Sequence, residues 1–367
     1  MTEAGLLVST RKGLLIGRSS AGRVDWEWTG LEFSGWVIDY TVRDPRSGAI
    51  WCAAHHEQWG ARLHRSDDDG ATWREAGMPA FADGERSLES IWTIEPGAQE
   101  GVLFAGVMPA AVFRSDDYGD SWQEIESLSR HPFSEYWMPG AAGLMFHHLN
   151  VDQNDPDRLV IGGSATGIFA SYDGGESWES RNAGIRSDHM PPDLQHMAPC
   201  VHSMFAHPKQ RGRIWQQNHF GQYRSDDDGE TWIDVGQGLP GEFGFASAID
   251  PGDPDVCYYI PLDSDQSRMP RDGALAVFRT ADAGETWERL SSGLPQSGFH
   301  QGIFRQALGQ DGGDPLGLYM GSSGGQLYAS INGGESWTLI RSNLAPVTAV
   351  RAWQLDGQLD GQLDDTD

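Results

Sequence analysis

Six copies of one short phrase recur along the chain at nearly constant intervals. Each copy reads Ser or Thr, any residue, Asp, any residue, Gly, any residue, Ser or Thr, Trp, with Asn in place of Asp in the last copy. The copies begin at Ser66, Ser115, Ser171, Ser225, Thr280 and Ser330, so that successive steps are 49, 56, 54, 55 and 50 residues. A unit of this length holds about four strands of roughly 5–6 residues with their turns. The period therefore predicts the blades of a β-propeller.

The rest of each unit supports this interpretation. An apolar or alternating run that ends in a Pro or Gly turn precedes every copy, which is typical of a strand. We label the four strands of a blade A to D from the centre outward, and the repeated phrase forms the C–D hairpin. The predicted A strands lie in "WVIDYTVRDP", "IWTIEPG", "HHLNVDQNDP", "VHSMFAHP", "FASAIDPGDP" and "GIFRQALGQDGGDP".

The two ends of the chain supply a seventh blade. Before the first copy, two apolar runs lead to a degenerate phrase in which Trp26 follows Ser19 by seven residues, the spacing of the other copies. After the last copy, "APVTAVRAW" resembles a lone A strand. Sharing a blade between the termini removes an exposed edge strand. The sequence thus predicts an all-β fold: a single seven-bladed β-propeller of four-stranded antiparallel blades over residues 1–353, followed by an acidic disordered tail over 354–367.

The repeated phrase resembles the Asp-box of bacterial neuraminidase repeat propellers, which occur in sialidases, other glycoside hydrolases, sortilin-like receptors and a photosystem II assembly factor. The resemblance covers nearly the whole chain and implies the fold. It implies little about function, because in that family the boxes lie on the face away from the site. We therefore interpret the acidic run Asp226–Asp228 as part of a hairpin rather than as a catalytic or calcium-binding cluster.

Composition narrows the classes of partner. The net charge of −27 argues against nucleic acid and against an anionic membrane. No apolar run reaches the roughly 18 residues of a membrane span, and the first residues do not resemble a signal peptide, so we expect a cytoplasmic protein. Cys52, Cys200 and Cys257 are odd in number and lie in or beside predicted strands, which favours buried thiols over a disulfide framework.

Function is expected on the face that carries the B–C loops and the D–A connections, because ligands bind in the concave funnel around the axis. The loops bring several polar or aromatic side chains to this face, and we take these as candidate substrate-binding residues. They are Arg11, Trp59, Asn218, Asp263 and Arg268 from the B–C loops, and Tyr136 and Trp137 from a long D–A connection over residues 128–146. A second long connection, over residues 184–200, brings Met190 and Met197. Both connections are expected to form a lid or a binding wall, and the alternative is loop-to-loop packing or a homodimer contact.

Histidines are frequent among the residues expected at the funnel. His147 and His202 occupy equivalent positions on neighbouring blades, and His219 and His56 lie in B–C loops that reach the same axis. Together these four predict a site for a divalent metal such as zinc, iron or manganese. Alternation along a strand sends His147 and His148 to opposite faces, so the sequence leaves open which of them points inward. A metal-free polar site and the absence of a shared site are the alternatives.

These observations favour an enzyme that uses a histidine-bound metal for hydrolysis, elimination or oxidation of a small organic molecule. Glu57 and Glu89 are the candidate catalytic carboxylates, with Glu57 as general base. Four histidines around the axis also resemble the iron site of carotenoid-cleaving propeller oxygenases. One alternative is a metal-free, sialidase-like glycosidase that uses the paired carboxylates, although the chain lacks the Arg-Ile-Pro segment of sialidases. Another is a non-catalytic scaffold propeller.

Overall fold

The structure, a computed structural model, describes residues 3–140, 143–188, 191 and 194–355. Within these residues, 28 strands form seven four-stranded antiparallel sheets. This confirms the predicted all-β propeller with seven blades. The blade that joins the termini is called the closing blade below, and the other six are numbered in chain order.

The chain begins in the closing blade with β1 (Glu3–Thr10), β2 (Gly13–Ser19) and β3 (Trp26–Trp28). Blade 1 contains β4 (Val37–Arg43), β5 (Ile50–His56), β6 (Gly60–Ser66) and β7 (Arg74–Glu75). Blade 2 contains β8 (Ser90–Pro96), β9 (Leu103–Met108), β10 (Ala111–Ser115) and β11 (Gln123–Glu124). Blade 3 contains β12 (Met145–Val151), β13 (Leu159–Ser164), β14 (Gly167–Ser171) and β15 (Glu179–Ser180).

Blade 4 contains β16 (Ser203–Ala206), β17 (Ile214–Gln217), β18 (Gln222–Ser225) and β19 (Ile233–Asp234). Blade 5 contains β20 (Gly244–Asp250), β21 (Asp253–Pro261), β22 (Val277–Thr280) and β23 (Glu288–Leu290). Blade 6 contains β24 (Leu308–Gln310), β25 (Leu318–Gly321), β26 (Leu327–Ser330) and β27 (Thr338–Arg341). The described helices are α1 (Glu126–Ser129) and two 3-10 helices, Pro132–Tyr136 and Arg271–Gly273.

The last strand closes the ring. β28 (Val347–Leu355) is the A strand of the closing blade and pairs with β1 in an antiparallel register that places Val8 opposite Val350. This is the predicted sharing of one blade by both termini. β28 continues to Leu355, beyond the start of the predicted acidic tail at residue 354, and the rest of that segment lies outside the described residues.

The hydrophobic core lies between blades rather than within them. Each apolar cluster that joins two blades draws buried side chains from adjacent sheets; for example, Trp51 and Leu63 of blade 1 pack with Ile94 and Phe113 of blade 2. Corresponding clusters join the other neighbouring pairs around the ring. Because every blade needs a neighbour on both sides to bury its faces, closure by β1 and β28 stabilises the whole ring.

The repeated phrases form the C–D hairpins, as predicted. In the fourth copy, the Ser225 Oγ accepts a hydrogen bond from the Gly229 N–H and donates one to the Asp227 Oδ1, both at 2.8 Å. The Asp227 carboxylate also accepts from the backbone N–H and the hydroxyl of Thr231, at 2.9 and 2.6 Å. Gly229 has a φ of 81°, which favours glycine. The backbone N–H contacts recur in the other copies, with Asn332 replacing the Asp in the sixth, where its amide donates to the Ser336 hydroxyl at 3.0 Å.

In four of the six copies, the Trp that ends the phrase donates a hydrogen bond to the blade before it. The indole N–H of Trp232 donates to the Arg181 carbonyl at 2.8 Å, and that of Trp287 donates to the Val235 carbonyl at 2.7 Å. The hairpins therefore join neighbouring blades as well as closing each sheet. We call the face that carries these hairpins and the A–B turns the turn face, and the opposite face the open face.

No helix in the described part of the chain is both long enough and apolar enough to cross a membrane.

Candidate functional site

The open face carries the B–C loops at the predicted positions. The strand bounds place Arg11 between β1 and β2, Trp59 between β5 and β6, His219 between β17 and β18, and Arg268 between β21 and β22. The fold therefore brings non-repeating loop sequences to one side of the ring. The side chains on this face form two groups, one in blade 4 and one in blade 1.

Cys200, His202 and His219 form a compact group in blade 4. Cys200 ends the D–A connection, His202 directly precedes β16, and His219 lies in the B–C loop. One potential ligand atom of each residue lies within 4.8 Å of those of the other two. His202 is buried, whereas Cys200 and His219 are half-buried. A thiolate and two imidazoles are the kinds of donor that zinc and related metals prefer.

The neighbouring blade fixes the ring of His202. Its Nδ1–H donates to the Gly244 carbonyl at 2.6 Å, because a carbonyl oxygen can only accept. The Nε2 is buried and has no hydrogen-bond partner among the described residues. Phe243 and Phe245 pack on the ring, with centroids 5.3 and 4.8 Å away. Burial lowers the pKa of His202 well below its usual value, so the ring is neutral at physiological pH and carries its lone pair on Nε2.

His147 and His148 contact each other near this group. Their Nδ1 atoms are 2.7 Å apart. The expectation that the two side chains point to opposite faces is wrong, because the pairing of β12 with β13 shifts register between Phe146 and His148 and breaks the alternation. Burial lowers the pKa of both rings, that of His148 to about 3. A protonated His202 would lower the pKa of His147 further, so the two rings lie near each other, although His147 is not one of the three clustered residues.

Arg305 brings a positive charge into the same region. Its guanidinium lies over the Phe245 ring, 4.7 Å from the centroid, and its Nε is buried without a hydrogen-bond partner among the described residues. Burial lowers the pKa of Arg305; the neighbouring Cys200 opposes that shift and Arg268 adds to it. Arg305 also contributes to the lowered pKa of His202. The interior of this strongly acidic protein is therefore locally cationic beside the blade 4 group.

A second group surrounds Asp39 in blade 1. The Asp39 carboxyl contacts the His55 Nδ1 at 2.8 and 2.9 Å. Burial raises the pKa of Asp39, and the hydrogen bond to Asp39 raises the pKa of His55. The positive charge of Arg11 lowers the pKa of His55, and the negative charge of Glu57 raises it. Asp39 also contributes to the raised pKa of the buried Cys52 thiol. Asp39 and His55 therefore both have pKa values above those of the free side chains.

His56 belongs to the blade 1 group rather than to the blade 4 group. Its ring contacts Trp36 and Trp59, with centroids 5.3 and 6.5 Å away, and its Nδ1 accepts from the Gln58 N–H at 3.1 Å. The indole of Trp59 is 57% exposed. The structure therefore brings together His202 and His219 of the predicted metal ligands, with His147 close by, and places His56 in an aromatic patch.

The two predicted catalytic carboxylates lie on neighbouring blades. Glu57 is in the B–C loop of blade 1, and Glu89 directly precedes β8 of blade 2. Both residues are exposed. Glu57 is near enough to His55 to affect its pKa, whereas the described contact of Glu89 is its backbone N–H donating to the Met108 carbonyl.

The remaining predicted binding residues have mixed environments. Asn218 is buried: its amide donates to the Arg186 carbonyl at 2.9 Å and accepts from the Phe220 N–H at 2.7 Å, so it shapes the loop that carries His219. Asp263 is exposed and accepts from the Ser267 hydroxyl at 3.3 Å. Arg268 lies over Phe245, 5.6 Å from the ring centroid.

The first long D–A connection packs partly into the core. Trp137 contacts Phe146 and Phe169, with centroids 5.4 and 5.9 Å away, which places it between blades 2 and 3. Tyr136 ends the 3-10 helix and is half-buried. Met197 of the second connection is half-buried, and Met190 lies outside the described residues.

The sequence does not reveal the roles of three contributors to these groups. Cys200 was treated as a structural thiol, although its spacing of two residues from His202 puts both side chains on the same side of an extended segment. Arg305 is among the arginines that the sequence brings to the funnel, but its packing on Phe245 has no sequence signal, because it lies in the irregular approach to β24. The Asp39–His55 contact joins strands A and B, and this pairing becomes visible only when the register is known.

The comparisons identify glycosidases among similar sequences. No family model matches the chain. The chain is 25% identical over 328 residues to the xyloglucanase Xgh74A of Acetivibrio thermocellus, covering 77% of this chain and 37% of that protein. A xyloglucanase of a Paenibacillus species is 23% identical over 295 residues, 72% of this chain and 27% of that protein. The chain thus spans well under half of the length of these curated relatives.

Solved structures show the same fold at low identity. The GH74 xyloglucanase from Xanthomonas campestris superposes with a TM-score of 0.62 and 20% identity, covering 96% of this chain and 52% of that chain. A putative 6-phosphogluconolactonase from Bacteroides fragilis gives a TM-score of 0.53 and 10% identity, covering 97% and 98%. These likenesses support a propeller family in general and do not assign the chain to the sialidases.

Proposed function

We propose that the protein is a carbohydrate-active propeller that cleaves a glycosidic bond of a small carbohydrate at its open face. The similarity to xyloglucanases supports this class of reaction and favours the glycosidase alternative over the metal-dependent reaction that the histidines predict. Because the chain covers a minor part of those relatives, the residues that carry the reaction are assigned here from this chain's own site.

The observation that carries the proposal is the half-buried carboxyl of Asp39, which contacts the His55 ring. Glycoside hydrolysis needs a carboxylic acid that keeps its proton near neutral pH and gives it to the leaving oxygen. Burial raises the pKa of Asp39 in the direction that this role requires. His55 shares the proton through the contacts of 2.8 and 2.9 Å, so the two groups titrate as a pair.

The second carboxylate of the reaction is Glu57. It follows His55 by two residues and contributes to the raised pKa of that histidine, and its exposure keeps it accessible to substrate and water. In this assignment Asp39 is the proton donor and Glu57 is the base or nucleophile, and Glu89 on the next blade contributes to substrate binding. The exposed indole of Trp59 supplies an apolar surface beside these carboxylates for a sugar ring.

The test is hydrolysis of a defined panel: xyloglucan oligosaccharides, unsubstituted β-glucan oligosaccharides and sialyllactose, with release of reducing ends or sialic acid as the readout. We expect turnover of a β-glucan substrate by the parent protein, loss of turnover in Asp39→Asn and Glu57→Gln, and normal turnover in Glu85→Gln, an exposed carboxylate outside the proposed site. Activity that survives in Asp39→Asn would overturn the assignment of the proton donor. No turnover of any member of the panel would overturn the proposed reaction.

A non-catalytic carbohydrate-binding propeller is the second candidate. It is favoured by the combination of an exposed Trp59 with two exposed carboxylates on different blades. Calorimetric titration with the same oligosaccharides separates the two candidates. Binding that depends on Trp59, without any release of reducing ends, supports the second.

A further inference from the structure

We propose that Cys200, His202 and His219 bind one zinc-class divalent metal ion through one sulfur and two imidazole nitrogens. This site goes beyond the proposed glycoside cleavage and does not depend on it, because it lies in blade 4 and involves neither Asp39 nor Glu57. It also differs from the four-histidine site that the sequence predicts, since it includes a thiol and excludes His56.

The geometry of the three donors fits such an ion after a small contraction. The potential ligand atoms lie within 4.8 Å of one another. Around a tetrahedral zinc ion, with bonds of about 2.0–2.1 Å to nitrogen and 2.3 Å to sulfur, ligand atoms are roughly 3.3–3.6 Å apart. Each donor therefore needs to move by about an ångström or less toward a common centre. Cys200 and His219 lie on loops, where such a shift is easily accommodated.

His202 is already oriented as metal-binding histidines are. Its Nδ1–H donates to the Gly244 carbonyl at 2.6 Å, which fixes the tautomer and directs the lone pair to Nε2. That nitrogen is buried and has no hydrogen-bond partner among the described residues, although buried polar atoms are nearly always paired. A metal ion at the blade 4 group would satisfy it.

The chemistry of the donors selects the metal. One sulfur and two imidazoles suit borderline ions such as zinc and cobalt, and this group contains no carboxylate that would favour magnesium or calcium. Binding releases the Cys200 thiol proton to solvent and forms the sulfur–metal bond. Arg305 lies beside the sulfur and stabilises the resulting thiolate.

Three protein ligands leave one coordination position open. Among the nearby histidines, His147 resembles a potential fourth ligand, because its buried Nε2 also lacks a hydrogen-bond partner among the described residues. It is outside the group of three in this structure. We therefore assign the fourth position to water or to a small ligand, with His147 beside it.

The first experiment measures metal content and spectroscopy of the untagged, full chain purified without chelators. We expect about one equivalent of zinc by elemental analysis, and a sulfur-to-cobalt charge-transfer band after the apoprotein is loaded with cobalt(II). His202→Ala should weaken zinc binding by at least about 100-fold, and Cys200→Ser should abolish the charge-transfer band. His300→Ala, an exposed histidine of the same face, should leave both unchanged.

A second measurement on the parent protein guards against variants that fail to fold. Zinc should protect Cys200 from alkylation by iodoacetamide at least tenfold, as followed by mass spectrometry, with the buried Cys52 and Cys257 as internal controls. Apoprotein that takes up no zinc or cobalt, a cobalt spectrum without a thiolate band, or equal alkylation of Cys200 with and without zinc would each overturn the proposal.

Discussion

The two faces of this propeller are built from opposite kinds of sequence. The turn face carries the A–B turns and six nearly identical hairpins, in which the first Ser or Thr accepts a hydrogen bond from the backbone of its own turn, as does the Asp or Asn two residues later. The open face consists of loops that differ from blade to blade and leave buried polar atoms such as the His202 Nε2 and the Arg305 Nε without partners among the described residues. The repeated hairpin sequences have structural roles, whereas the loop sequences that differ between blades form the surface where a ligand can bind.

The carboxylates of the two faces show the same contrast. Hydrogen bonds from Thr72 and Ser177 hold the pKa values of Asp68 and Asp173 at about 2. Burial instead raises the pKa of Asp39 on the open face. The turn face therefore lowers the pKa of its carboxyl groups, whereas the surroundings of Asp39 on the open face raise the pKa of that carboxyl, which is the direction that proton donation requires.

The largest expected effect is on activity at the open face. Asp39→Asn should lower kcat/KM for the glycan substrate by on the order of 10³-fold, since it removes the proposed acid while keeping the shape of the side chain. The midpoint of thermal unfolding should stay close to that of the parent. Steady-state assays and melting curves check the two expectations, and Asp265→Asn, an exposed carboxylate in an open-face loop, is the control. If Asp39→Asn loses activity because it unfolds, the open face would have a role in stability like that of the turn face, and the contrast between the two faces would fail.

A hairpin substitution should have the reverse profile. Ser225→Ala leaves the buried Gly229 N–H without its acceptor at 2.8 Å, which should lower the free energy of unfolding by about 2 kcal/mol. Activity of the folded protein should not change, because the hairpin lies on the turn face. Denaturant titration measures the first effect, with the exposed Ser87→Ala as control. Equal stability of Ser225→Ala and the parent would show that the repeated phrase has a role other than holding the turn.

The sequence predicts the repeated part of the molecule much better than the unique part. The period of the phrase, and the spacing of Ser19 and Trp26 in its degenerate copy, are sufficient to locate the seven blades, the hairpins and the shared closing blade. Each of these features depends on a local sequence pattern that recurs in several blades. An ambiguous strand or hairpin in one blade can therefore be assigned by comparison with the other blades.

The candidate site depends on details that do not recur. A bulge in β12 brings His147 and His148 together, and no residue in the sequence signals it. The sequence around Trp137 predicts a loop. In the structure its indole nevertheless packs between two blades, against Phe146 and Phe169. Register and packing, rather than residue type, decide which side chains meet.

Binding at the open face should also depend on its exposed aromatic ring. Trp59→Ala should weaken oligosaccharide binding by about 1 kcal/mol, or roughly fivefold in Kd, since a sugar loses its apolar contact surface. Stability should change little, because the indole is already 57% exposed. Calorimetric titration measures the affinity, and Ile331→Ala, an exposed apolar side chain in a turn-face hairpin, provides the matched control. Unchanged affinity would move the binding surface away from blade 1.

The smallest effect, and the most direct comparison of the two faces, is the pH dependence of stability. A folded-state pKa above the unfolded value means that the native protein binds more protons, so stability falls as pH rises. For Asp39 this loss begins above the ordinary value of 3.8, and for His55, whose pKa is also raised, it continues above 6.5. The lowered pKa of Asp173 has the opposite consequence: its contribution to stability is complete above pH 3.8 and is lost as the pH falls toward 2.

Melting curves of the parent, Asp39→Asn and Asp173→Asn between pH 3 and 8, a range set by these pKa values, should therefore give parent-minus-variant differences with opposite slopes. Slopes of the same sign would mean that both carboxylates are held in the same charge state, and Asp39 would then lose the property that qualifies it as a proton donor.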